Sequence, residues 1–185
     1  NQGGQLIATN ALKAGDADTT LIDNTAGIIA SQSGATQVQA SSILNDQGLI
    51  QGTDTQVKAN TLSNTSSKTQ SGDYGILGTQ TVHIQADTLD NTLGNIAGNS
   101  VTITGNETPA SSNLINNAGQ ISADSTLAIT ARTLSNVAGQ MSADKATLNI
   151  EQLDNSQGQI YAQTQLSTDS TTVTNTGGQL VSNGN

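Results

Sequence analysis

One phrase recurs along the whole chain. TLDNTLGNIAG (88–98), TLSNVAGQMSA (133–143) and QLDNSQGQIYA (152–162) each place Leu, then Asn two residues on, then Gly three after that, then an apolar residue two further. Taken as origin, the glycine falls at Gly4, Gly27, Gly48, Gly75, Gly94, Gly119, Gly139, Gly158 and Gly178. Asn stands three before it at Asn1, Asn24, Asn45, Asn91, Asn116, Asn136, Asn155 and Asn175; in the fourth unit extra residues separate Asn64 from Gly75. The Asn-to-Asn steps are 23, 21, 19, 27, 25, 20, 19 and 20, a basic period of 19–20 with insertions. A repeat of this length points to stacked units that are stable only against their neighbours.

Apolar residues keep the same beat. Two after the glycine come Leu6, Ile29, Ile50, Leu77, Ile96, Ile121, Met141, Ile160 and Leu180; two before the Asn come Ile22, Ile43, Leu62, Leu89, Leu114, Leu134, Leu153 and Val173. Between these columns lie alternating runs such as Val82–Ile84–Ala86, Val101–Ile103, Leu127–Ile129–Ala131 and Leu148–Ile150. Alternation at period two marks strands, and no stretch sustains a helical period. Each unit therefore reads as two or three short strands joined by polar turns, with Leu, Ile, Val and Ala inward and Thr, Ser, Gln and Asn outward. The expected fold is all-β, a parallel β-helix (β-solenoid) of about nine rungs. At a strand spacing of about 4.8 Å this makes a rod roughly 40 Å long.

Composition agrees with a stack better than with a globule. The chain has no Cys, Trp or Phe, two Tyr, one His, one Met and one Pro, so no bulky aromatic anchors an ordinary core. Composition so polar often means disorder, but a regular stack can bury small aliphatics that a globule uses poorly. The net charge is −9, and the only basic residues are Lys13, Lys58, Lys68, Arg132 and Lys145, which argues against nucleic acid and anionic membrane surfaces as partners. No apolar run approaches the length of a membrane-spanning helix, and no basic-then-apolar opening suggests a signal peptide.

The corner residues have a structural reading. A rung must turn sharply; Gly takes positive φ freely and Asn tolerates it better than other residues. Asn can also hydrogen-bond its own turn and the Asn one rung away, forming a ladder. Asn24, Asn45, Asn64, Asn91, Asn116, Asn136, Asn155 and Asn175, with Gly27, Gly48, Gly94, Gly119, Gly139, Gly158 and Gly178, are thus expected to build corners, not to catalyse or bind. No capping segment is visible at either end, and bare strand edges invite association, so residues 1–185 read as one β-helix segment excerpted from a longer array.

The phrase L-[D/S]-N-x-x-G-x-[I/L]-x-[A/G], followed by an L-x-I-x-A strand, resembles the repeats of filamentous haemagglutinin and related two-partner-secretion exoproteins, including the CdiA proteins of contact-dependent growth inhibition. The likeness covers essentially the whole chain and departs from the pattern at the insertions 65–74 and 105–113 and in the looser first rung, 5–21. The resemblance implies a right-handed parallel β-helix within a long filament on the surface of a Gram-negative bacterium. It implies export through a dedicated outer-membrane partner transporter, and service as an adhesin, haemagglutinin or toxin stalk. The family's secretion domain carries an Asn-Pro motif; the only Pro here is Pro109, in TPA, so this is not that domain.

Other chemistries find little support. Sugar-cleaving β-helix enzymes need clustered carboxylates; here only Asp124 and Asp144, each five after the glycine on adjacent rungs, come close. The same column holds Gln32, Thr53, Gln80, Asn99 and Gln163, so a solvated polar corner is the plainer reading. His83, between inward Val82 and Ile84, should point outward, and without Cys or a second His no metal site is expected, nor any cofactor. Thr102–Thr104 and Thr172–Thr174 suggest an ice-binding array, which Ala128–Thr130 and His83–Gln85 interrupt. The insertions are the places where individuality can reside: Lys68 and Tyr74 in TSSKTQSGDY, Glu107 and Pro109 in GNETPASSN are candidate contacts to a cell-surface receptor or glycan.

Overall fold

The computed structural model describes residues 1–68, 74–106 and 112–184. Among the described residues there is no helix, and fifteen strands form one parallel sheet wound on itself. The first turn holds β1 (Gln5–Ala8), β2 (Leu12–Gly15) and β3 (Leu21–Asp23); the second holds β4 (Ile28–Ser31), β5 (Thr36–Gln39) and β6 (Ser42–Leu44). From the third turn the strands run on around the bends: β7 (Leu49–Ser63), β8 (Gly75–Asp90), β9 (Asn95–Thr104) with β10 (Asn113–Ile115), β11 (Gln120–Ser135) and β12 (Gln140–Asp154). The eighth turn is β13 (Gln159–Asp169) with β14 (Thr172–Thr174), and β15 (Gln179–Ser182) follows. Eight turns thus lie between Asn1 and Asn175, each with three sides.

Register aligns like with like. On the side after the corner the inward file is Leu6–Ile29–Ile50–Ile76–Ile96–Ile121–Met141–Ile160–Leu180. On the second side it includes Ala14–Val38–Val57–Ile84–Ile103–Ile129–Leu148. On the third side it is Ile22–Ile43–Leu62–Leu89–Leu114–Leu134–Leu153–Val173. These files make one continuous aliphatic core in which most members are buried. Each buried Ile or Leu contributes about 2 kcal/mol by leaving water.

Two details depart from the sequence reading. The fourth-turn member of the first file is Ile76, not Leu77, because the insertion before Gly75 shifts the count by one; Gly75 itself pairs with Leu49. And two threonines face inward: Thr36 and Thr55 are fully buried between Leu12 and Val82. Each hydroxyl donates 2.6 Å to a main-chain carbonyl, of Gln51 and Leu77 respectively, so neither is left unsatisfied.

Candidate functional site

The corner between the third and first sides is the most uniform part of the molecule. Asn1, Asn24, Asn45, Asn64, Asn91, Asn116, Asn136, Asn155 and Asn175 stand in a row. Each Nδ2 donates to the Oδ1 of the next at 2.7–2.8 Å. From Asn24 to Asn155 these side chains are 0% exposed. The second Nδ2 proton is used as well: Asn24 reaches the carbonyls of Gly27 and Leu49, Asn155 those of Gly158 and Gln179. The Asn carboxamide carries its acceptor and its two-proton donor on separate atoms, so each Asn accepts from one neighbour while donating both to the next and to a main-chain carbonyl. A file of Asp would stack like charges in a dry slot.

Each Asn opens a tight turn. Its carbonyl accepts the N–H of the glycine three residues on, at 2.9–3.2 Å from Gly27 through Gly178 where the glycine is present. The left-handed residue of this turn is neither the Asn nor the Gly, as the sequence suggested. It is the residue just before the Gly: Ala26, Gln47, Ser66, Leu93, Ala118, Ala138 and Gln157 all have φ of 52–57°. Glycine is required for another reason. A Cβ on Gly27, Gly48, Gly94, Gly119, Gly139, Gly158 or Gly178 would lie 2.0–2.4 Å from the main-chain oxygen of the Asn one turn earlier, and 2.3–2.7 Å from the Oδ1 of its own Asn. The glycine is a gap through which the ladder passes.

The fourth turn solves the corner differently. Asn64 keeps its place in the ladder, Ser66 is left-handed and Ser67 occupies the glycine position. The Ser67 hydroxyl donates to the Asn64 carbonyl at 3.2 Å and accepts the Asn95 N–H at 3.0 Å. Thr65–Ser67 therefore belong to the turn and not to the insertion, and Asn113 belongs to β10 rather than to the second insertion. Gly75, counted as a corner glycine in the sequence, lies beyond the turn on the first side.

Carboxylates brace the corners from outside. The Ser156 hydroxyl, and after it the Ser156 N–H at 2.9 Å, hold Asp154 below the usual carboxylate range. The Thr25 N–H, then its hydroxyl, then Gln2 do the same for Asp23. In the first turn the Thr19 hydroxyl, then the Asp18 N–H, lower Asp16.

The remaining candidates are dispersed. Lys68 is exposed, and its N–H bonds the Leu93 carbonyl; the Tyr74 carbonyl accepts from Asn95 Nδ2. These residues flank the first insertion. Glu107 and Pro109 lie outside the described residues. Asp124 and Asp144 both lie at the bend where the register between β11 and β12 shifts, between Ser122–Ser142 and Thr126–Lys145, and fall outside the paired positions of the two strands. Thr102–Thr104 and Thr172–Thr174 sit on different sides, Thr102 beside Ala128 and Thr172 beside Gln152, so they share no face. Among the described residues no three His, Cys, Asp or Glu side chains are grouped as metal ligands would be, and no helix is long and apolar enough to cross a membrane. Compared with family models, curated proteins and solved structures, the chain matches none.

Proposed function

We propose that this chain is a non-catalytic spacer, part of a bacterial exoprotein exported by two-partner secretion and displayed at the cell surface, where it holds an adhesive or toxic part away from the cell. The observation that carries the reading is the asparagine ladder, which runs unbroken through all eight steps, including the two that contain insertions. A row of hydrogen bonds parallel to the axis, beside three aliphatic files, resists both bending and extension. That is what a spacer needs. The repeat resemblance supplies the rest: the surface setting, the partner transporter, and a place for stepwise folding in drawing the chain outward.

Proline at inward positions tests it. In the parent exoprotein, Ile121→Pro or Ile129→Pro removes a ladder hydrogen bond from the sheet and should lower surface display. Unchanged display would sink the folding-coupled role. The competing reading, a receptor- or glycan-binding module acting through 65–74 and 105–113, is tested with the labelled chain on target cells. Saturable binding lost on trimming 69–73 and 107–111, with the Thr65–Ser67 turn and β10 kept, would replace the spacer with a binding module.

A further inference from the structure

The second side of the solenoid carries two outward files, and their character changes midway. Over the first four turns they read Lys13, Gln37, Gln56, His83 and Gly15, Gln39, Lys58, Gln85. Beyond, they read Thr102, Ala128, Thr147 and Thr104, Thr130, Asn149. Long side chains ending in amides, ammonium groups and an imidazole give way to short ones. Between the long ones lies a shallow groove of about 120 Å³, to which Gly15 contributes no side chain. A second depression shares Gln39 and Lys58 and extends it past the next bend to Ser41 and Asn60.

Charge is concentrated there against the trend of the molecule. Three of the six Lys, Arg and His side chains, Lys13, Lys58 and His83, line this one groove in a chain of net charge −9. Asp16, the acid next to Lys13 along the chain, is held by Thr19 and the Asp18 N–H and, more weakly, by the Lys13 charge, which it offsets in part. We propose that the groove binds an acidic polysaccharide, a chain of sugars bearing carboxylates.

The chemistry selects that class. Lysines attract the carboxylates, and each glutamine amide offers a donor and an acceptor to neighbouring hydroxyls. The rows repeat at about 4.8 Å, close to the length one pyranose adds to an extended chain, so successive rows meet successive sugars. Same-face side chains of an extended peptide recur at about 6.8 Å, out of step with the rows. The groove holds a single ring, the His83 imidazole, and no Phe, Tyr or Trp to stack successive bases, which disfavours single-stranded nucleic acid. The site stands apart from the spacer role, since a spacer can carry it or lack it, and it lies outside both insertions.

The test is calorimetric titration of the full chain with oligogalacturonate and with a neutral oligosaccharide of equal length. Saturable binding of the acidic oligomer alone is expected, weakening with salt. The double substitution Lys13→Gln with Lys58→Gln should weaken it about tenfold, with circular dichroism unchanged because both side chains point outward. Lys145→Gln, far along the rod, should leave it as it was. Absence of binding, equal binding of the neutral oligomer, or indifference to the double substitution would overturn the proposal. So would self-association of the chain, seen by sedimentation, that the same double substitution abolishes, since the face would then serve a second copy.

Discussion

The first two turns and the sixth and seventh are built on the same core files, yet their bends differ. In the early turns three short strands are separated by loops, at 9–11 and 16–20 in the first turn and 32–35 in the second. In the later ones a single strand, β11 or β12, runs around all three sides. The early loops hold themselves: Asp16 caps Thr19, and the Ser31 hydroxyl donates to the Asn10 carbonyl and accepts the Gly34 N–H. The later bends have almost nothing to hold, and small residues, Ala123 and Ala143, suffice. Corner length thus varies from turn to turn at these bends, whereas the asparagine corner keeps its length, because each amide must meet the next.

The sharpest way to break this comparison is steric. Gly139→Ala places a Cβ against the Asn116 carbonyl, and the loss expected in urea denaturation is about 4 kcal/mol. Ser67→Gly, in the turn that already tolerates a side chain, creates no clash but loses the buried hydroxyl that accepts the Asn95 N–H, and should cost about 1–2 kcal/mol. A loss below about 1 kcal/mol for Gly139→Ala would show that the ladder can shift aside.

Next in size is Asn136→Ala, which leaves Asn116 Nδ2 and Asn155 Oδ1 without their ladder partners in a dry slot; about 3 kcal/mol should be lost. Asn10→Ala, in an early bend where the side chain accepts just a long, exposed 3.5 Å bond from the Ser33 hydroxyl, should cost under about 0.5 kcal/mol by the same measurement. Equal losses would mean that the two kinds of bend do not differ.

A gain is expected at Leu93, a half-exposed leucine held at φ 54°. Leu93→Gly relieves about 1–2 kcal/mol of left-handed strain and gives back about 0.5–1 in unfolded-state entropy. The thermal midpoint should therefore rise slightly.

The smallest effect concerns pH. Asp16 in an early bend and Asp154 at a late corner both titrate below the ordinary 3.8 in the folded chain. Their stabilisation is complete above that value and is lost as pH falls through the lowered folded values. Asp16 is exposed and Asp154 half-buried, both open to solvent screening, so Asp16→Asn and Asp154→Asn should flatten the acid limb of an unfolding curve only slightly. A steep change on either substitution would reveal a buried role.

The files and the ladder were legible because they recur at fixed spacing, and period-two alternation needs no tertiary information. The role of the glycines was not, since the obstacle is a carbonyl about twenty residues earlier in the chain, visible only once turns are stacked. Nor was the left-handed position, where Ala26, Gln47 and Leu93 share no residue type. Ser67 escaped notice because its hydroxyl does in the turn what no sequence pattern announces. The groove of Lys13, Lys58 and His83 assembles residues from three different turns, so linear spacing hides it.

The ladder also acts as a check on counting. The strands are so alike that sliding one turn by two residues would keep every apolar side chain inward. Such a slip would set Asn136 beside Leu153 or Gln157 instead of Asn155, leaving the ladder amides mispaired in a dry slot. Hydrophobic alternation alone cannot distinguish the correct alignment from its neighbours. One polar residue per turn makes the difference, so the least oily column of the interior is the one that keeps its place.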